Sequence, residues 1–542
     1  MPSGDRKGDL IASVNGAALE EKRGETIRAS VDGVRLARNT AFNLAGQILP
    51  ILAGVALIPC IVRGLGPDRF GVLGIIWVVF GYFTVMDLGL GRATTKFLAE
   101  WLVKEDAGRI SEMIWSSIIL QMVLGLAGGA IIAATTPVLV GRVLKTPPLL
   151  VAETSTAFYI LAATLPAILA MNGMRAVLEG CQRFDITNLL RVPSSTLAFV
   201  IPAVAIAAGL RLPGVVLCMG VSRVAFTVVH GFYCVRVLPC LKMLPTIRSS
   251  VVSQLLSFGG WVTASNAINP LLVSMDRFLI GSLLGVALVG YYTAPFEAVT
   301  KLWMIPASLM TTVYPAASAL GAGRMKELQT LYSRSIKYIF CALAPVSLIL
   351  VLFAHPIIGA WLGPTFVAKS TVPLQFLAVG VFVNCFAHVP YCFLQSLGRP
   401  DAAAKLFVCE LVPYALLAWW MIERHGIAGA AAAWSIRVAV EVVLLVWIAR
   451  RVFSLSALRA IDRRMGTALG ALAALGAATY ETNFLLHNAI VMDGSVCAVW
   501  MAGFAFIVWK WVLDRADRAS VLGVMGPLRG LFEKTLGSAA TE

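Results

Sequence analysis

Charge is what this sequence has least of. Asp, Glu, Lys and Arg together make up 13% of its 542 residues, against 58% apolar residues, whereas soluble domains carry nearer a quarter charged. A water-facing globular surface is thereby excluded, and the chain reads as an integral membrane protein. Chemistry-bearing motifs are missing as well. There is no G-x-x-x-x-G-K-[ST] loop to cradle a nucleotide phosphate, and no H-E-x-x-H or G-x-S-x-G to mark a hydrolase. The 10 cysteines contain no C-x-x-C pair, and Cys60, Cys218, Cys234, Cys341 and Cys409 sit in apolar segments, as small buried hydrophobes do. His230, His355, His388, His425 and His487 are scattered, so neither cofactor nor metal is implied. A net charge of +15 could suggest nucleic acid, but the basic residues stand singly between apolar runs with no basic patch, which excludes that partner.

Long apolar runs are what is there. Stretches near the ~20 residues that cross a bilayer fall at 40–62, 70–98, 112–136, 154–178, 187–209, 213–235, 255–281, 287–315, 335–354, 372–395, 401–422, 428–449, 465–480 and 494–513. The sequence predicts an all-α polytopic protein of about 14 transmembrane helices. With the N-terminus placed in the cytoplasm, roughly 32 of the 44 Lys and Arg fall on the cytoplasmic side. Both termini are therefore expected inside. Residues 1–37 are polar, lack the apolar core of a cleavable signal, and read as a cytoplasmic tail. The loops between spans are short, the longest external ones near 137–153 and 355–371.

The chain repeats itself. LGPDRFG at 65–71 and LGVALVG at 284–290 share L-G-x-x-x-x-G, and LEGCQRFD at 178–185 and LQSLGRPD at 394–401 share L-x-x-x-x-R-x-D. The offsets, about 219 and about 216 positions, are nearly constant, and Gly214 and Gly429 keep the register. Six spans per repeat put both copies in the same orientation, related by a pseudo-twofold axis along the membrane normal with a site between them. The expected divisions are the 1–37 tail, a six-helix lobe at 38–245, a second at 246–452, two further helices at 453–515 and a 516–542 cytoplasmic tail.

Charges inside spans are costly and usually paired or functional. FGYFTVMDLGLGRATTKFLAEW at 80–101 carries Asp87, Arg92 and Lys96. Arg92 and Lys96 share a helix face, and the intervening L-G-L-G would let the helix bend and bring Asp87 toward Arg92. The bland alternative is that Arg92 and Lys96 snorkel to the interface. Asp276 and Arg277 are adjacent and cannot share one face cleanly. Glu297 and Lys301, and again Arg437 and Glu441, stand four apart on a helix and could neutralise each other.

RNTAFNLAGQILP at 38–50 and RGLGPDRFGVLGIIWVVFGYFTVMDLGLGRATTKF at 63–97 resemble the polysaccharide-transport family of oligosaccharide flippases. That family lies within the multidrug/oligosaccharidyl-lipid/polysaccharide exporter superfamily. The resemblance runs from about residue 38 to 510 and weakens in the second half. It implies two lobes around a central cavity lined by spans one, two, seven and eight. It also implies transfer of an undecaprenyl-diphosphate-linked oligosaccharide across the bacterial cytoplasmic (inner) membrane for surface polysaccharide, with no enzymatic step. On that reading Arg92, Arg277 and Lys301 would bind the diphosphate, while Asp87, Asp276 and Glu297 would balance charge or hold a coupling H+ or Na+. A polysaccharide polymerase and chain-length proteins would be partners, with membrane lipids around. The rival readings are a cation-coupled multidrug exporter of the same fold, which would want net acidic cavity helices, and a membrane polymerase or ligase, which would want a large external loop.

Overall fold

The computed structural model describes residues 33–85, 90–102, 107–181, 183–242, 248–320, 324–453, 470 and 502–512. It forms two compact units, Met1–Ile48 with Trp509–Glu542, and Leu49–Val508, the latter carrying nearly all of the described helices. Among the described residues there is no strand. The helices are α1 (Gly33–Val85), α2 (Leu90–Leu102), α3 (Ala107–Val138), α4 (Val151–Gly180), α5 (Phe184–Ala207), α6 (Leu212–Val237) and α7 (Ser249–Leu283). They continue with α8 (Val286–Thr300), α9 (Met304–Leu320), α10 (Met325–Leu352), α11 (Ala354–Leu362), α12 (Pro364–Ser396) and α13 (Pro400–Phe453). A helix satisfies its own backbone polar groups, which is the condition for crossing hydrocarbon.

Eight stretches among the described residues are long and apolar enough to cross a membrane. Two of them take in two predicted spans each: Asp401–Arg451 contains 401–422 and 428–449, and Ile48–Phe83 overlaps 40–62 and 70–98. The chain folds as a polytopic all-α membrane protein. Inside α1 and α13 the helix breaks at Gly66 (φ 75°) and Gly426 (φ 60°), backbone settings that side-chain-bearing residues rarely adopt. The predicted spans 255–281 and 287–315 correspond to α7 and to α8 with α9. The predicted 465–480 falls outside the described residues except at 470, 494–513 is described only over 502–512, and the expected bend at Asp87 lies outside them; beyond it α2 resumes at Leu90.

Burial separates central from peripheral helices. α4 packs on α3 and α6, α12 packs on α10 and α13, and these two are the most buried of the spans. Leu52, Leu126, Ile131, Val228, Phe232, Val412, Leu416 and Val443 are exposed, an apolar outer surface suited to lipid and too extensive for a water-facing monomer.

The repeated motifs adopt matching geometry. Gly66 and Gly285 both take positive φ, at 75° and 100°, and each opens a helix. Gly71 lies so close to the Val286 carbonyl that a Cβ would collide with it, and Gly290 meets the Pro67 carbonyl in the same way. Val286 and Gly290 occupy the places in their motif that Pro67 and Gly71 occupy in theirs, so the contact is reciprocal, as a twofold axis requires. At the opposite end, Arg183 N donates to Leu178 O at 2.9 Å and Arg399 N to Leu394 O at 2.8 Å. Each arginine then pairs with the aspartate two residues on, Asp185 at 2.8 Å and Asp401 at 3.2 Å.

Arg69 of the first motif makes a bidentate pair with Glu153 on α4, at 2.8 and 3.0 Å. Glu153 also accepts from Leu212 N at 3.2 Å, capping α6. The D-R-F-G signature is thereby given a structural role: its arginine ties α1, α4 and α6 together.

Candidate functional site

The charges of α7 and α8 meet across the helix pair. Asp276, fully buried, accepts a short hydrogen bond from the Tyr292 hydroxyl and another from Arg277 N at 2.7 Å. Adjacency on α7 sends the Arg277 side chain elsewhere. Its Nη2 lies 3.4 Å from Glu297 Oε1, and its guanidinium lies 4.3 Å from the centre of the Phe296 ring. Glu297 is shared: its Oε2 is 3.1 Å from Lys301 Nζ, the predicted four-residue pair. Lys301 also lies 5.3 Å from the centre of the Phe199 ring of α5, which packs on Trp77. One carboxylate thus serves two cations, where the N-terminal half meets the C-terminal half.

A second buried set lies on α13. Arg437 Nη1 reaches Glu441 at 3.1 Å, as the spacing predicts, and Glu410 at 3.4 Å, and all three residues are less than a tenth exposed. Tyr414 lies under the guanidinium at 5.4 Å. Beside it is a cavity of about 160 Å³ lined by Trp303, Asn384, His388, Trp434, Arg437 and Glu441, smaller than the ~300–1,000 Å³ of a drug-sized pocket.

Of the sequence-predicted residues, the structure brings Asp276, Arg277, Glu297 and Lys301 into one site. Arg92 and Lys96 lie on α2, and their side chains, like Asp87, lie outside the described residues. Sequence reasoning missed Tyr292, Glu410 and Arg223. Glu410 and Arg223 carried a usable signal, a lone charge inside an apolar span; Tyr292 carried none, since a tyrosine in a membrane helix is unexceptional.

Comparisons with known proteins agree with this architecture. A family model described as polysaccharide biosynthesis protein matches residues 60–373. A Shigella flexneri protein named "Putative O-antigen transporter" is 30% identical over 420 residues, covering 77% of this chain and 98% of its own length. Among solved structures, the lipid II flippase MurJ in an inward closed conformation superposes with a TM-score of 0.71 at 10% identity, over 88% of this chain and 99% of MurJ. A multidrug resistance transporter of the MATE family, inward-facing, superposes with a TM-score of 0.63 at 18% identity, over 77% of this chain and 98% of its own. At those identities the likeness concerns the fold.

Proposed function

Because the chain belongs to the polysaccharide biosynthesis protein family, we propose that it is a flippase for lipid-linked oligosaccharide, the lipid joined to the sugar through a diphosphate. The observation that carries this reading is the Arg277–Glu297–Lys301 triad. Arg277 and Lys301 share the single carboxylate of Glu297 as their ion-pair partner inside the bilayer, and a phosphate could take the place of Glu297 on either cation. An arginine fork and an ammonium in low dielectric are well matched to a diphosphate. A site for drug-like cations would want net acidic helices, whereas Asp276 and Glu297 are matched here by Arg277 and Lys301.

The substrate enters between two six-helix halves, residues 38–245 and 246–452, which alternate their access to the two sides of the cytoplasmic membrane. The reciprocal Gly71 and Gly290 contact, with Lys145 Nζ on Leu283 O at 2.6 Å and Trp361 Nε1 on Val55 O at 2.7 Å, would close the predicted external ends. The carboxylates of Asp276, Glu410 and Glu441, with the guanidiniums of Arg277 and Arg437 beside them, are where a coupling H+ or Na+ would act. Arg92 and Asp87 are the corresponding proposals in the N-terminal half. Both termini lie in the cytoplasm, and a polymerase and chain-length proteins would receive the product.

The test is to follow lipid-linked sugar in the outer leaflet of cells lacking their own flippase. Arg277→Gln and Lys301→Gln should each lower its appearance at least tenfold at normal protein abundance. Full transport in both variants would overturn the reading.

A further inference from the structure

Among the described residues, Arg223 is a charge without a charged partner. It stands on α6, 11 residues past Leu212 and 14 before Val237, hence about 17 Å from one end and about 21 Å from the other at 1.5 Å per residue. With a hydrocarbon core of about 30 Å, that is close to the midplane. Its side chain is half-buried, turned toward α5 and α1. Thr227, one turn on along the same face, donates to Ala167 O of α4 at 2.9 Å, while Val221, Val224 and Val228 form the exposed face. The guanidinium donates from Nη1 to Ser194 Oγ of α5 at 3.1 Å and lies 6.0 Å from the centre of the Phe80 ring of α1. Among the described residues no carboxylate pairs with it.

A neutral hydroxyl and a ring do not compensate a guanidinium in hydrocarbon, where an isolated charge is expensive. Arginines near helix ends escape by reaching the interface. From the midplane the headgroups are roughly 15 Å away, beyond the reach of the side chain. No carboxylate among the described residues completes this site, and an anion carried to it within the protein would. Arg277 and Lys301 are already held by Glu297, whereas the Arg223 fork has donors to spare. We infer that Arg223 is a phosphate-binding residue of the N-terminal half, which takes the phosphate ester anion of a polyprenyl diphosphate. The inference rests on the flippase reading and adds to it a phosphate contact in the N-terminal half, whereas Arg277 lies in the C-terminal half.

The test uses the full chain in detergent, with undecaprenyl diphosphate as probe and undecaprenol and phosphatidylglycerol as separate arms. The wild-type protein should bind the diphosphate at least tenfold more tightly than either arm. Arg223→Gln should weaken diphosphate binding at least tenfold and leave undecaprenol binding unchanged; Arg223→Lys, which keeps the charge and controls for folding, should lie between. Equal diphosphate binding by wild type and Arg223→Gln would overturn the inference and leave the flippase reading standing. Restoration of binding in Arg223→Gln by adding Asp87→Asn would make Arg223 a structural counter-ion and overturn it too. Equal competition by phosphatidylglycerol would make the site a lipid anchor. A wild-type protein that does not distinguish diphosphate from undecaprenol would remove both proposals together.

Discussion

Gly71 of α1 and Gly290 of α8 approach each other backbone to backbone, each filling the last place of its own L-G-x-x-x-x-G motif and each pressed on a carbonyl of the other copy. Neither site has room for a Cβ. The close approach that small residues allow is what holds helices together in lipid, where no hydrophobic force drives them to pack.

Gly71→Ala or Gly290→Ala should therefore loosen this end of the molecule. With the native cysteines replaced, a cysteine at Thr293, fully buried and packed beside Gly74, should react several-fold faster with an impermeant thiol reagent added outside. Unchanged labelling in a folded variant would mean that the glycine contact does not gate access.

Glu297 pairs with Arg277 and Lys301 together. Glu297→Gln removes the competitor for phosphate without removing the cations. Diphosphate binding should hold or tighten while transport falls several-fold, because release becomes the slow step. Binding and outer-leaflet assays on the same variant check this; parallel loss of both would make Glu297 a structural residue.

Arg437 is the shared partner of Glu410 and Glu441. Arg437→Gln strands two carboxylates, and breaking a buried pair costs about 3–5 kcal/mol. Adding Glu410→Gln and Glu441→Gln should return much of that stability. Thermal unfolding in detergent compares the single and triple variants, and equal midpoints would show that the pairing contributes nothing.

Topology is testable at two exposed positions. A cysteine at Leu149, 94% exposed in the loop before α4, should react with an impermeant reagent in intact cells, and one at Lys326, at the start of α10, should not. The reverse pattern would invert the orientation derived from Lys and Arg placement.

Burial pushes the Cys181 thiol, in the turn after α4, from 9.0 up to about 11. Two pH units remove about 99% of the thiolate at neutral pH, partly offset by the greater nucleophilicity of a more basic sulfur. Maleimide modification of native Cys181 should run about tenfold slower than that of a free thiol and rise steadily up to pH ~11. A rate equal to that of a free thiol would contradict the burial.

The sequence alone determined what depends on local order. Apolar run lengths gave the spans, the duplicated motifs located equivalent turns, and four-residue spacing found Glu297 with Lys301 and Arg437 with Glu441, since 3.6 residues per turn makes such neighbours automatic. Tertiary structure alone decided the contacts between helices. Arg277 meets Glu297 across the α7–α8 pair, Arg437 meets Glu410 from the far end of α13, and Tyr292 holds Asp276. Lys301 reaches Phe199 of another half of the chain. Those meetings depend on how each helix is rotated and shifted against its neighbours. In lipid that is settled by close packing at residues such as Gly71 and Gly290 rather than by burial of an apolar stripe, so helices apolar on nearly every face leave no periodicity from which to read it.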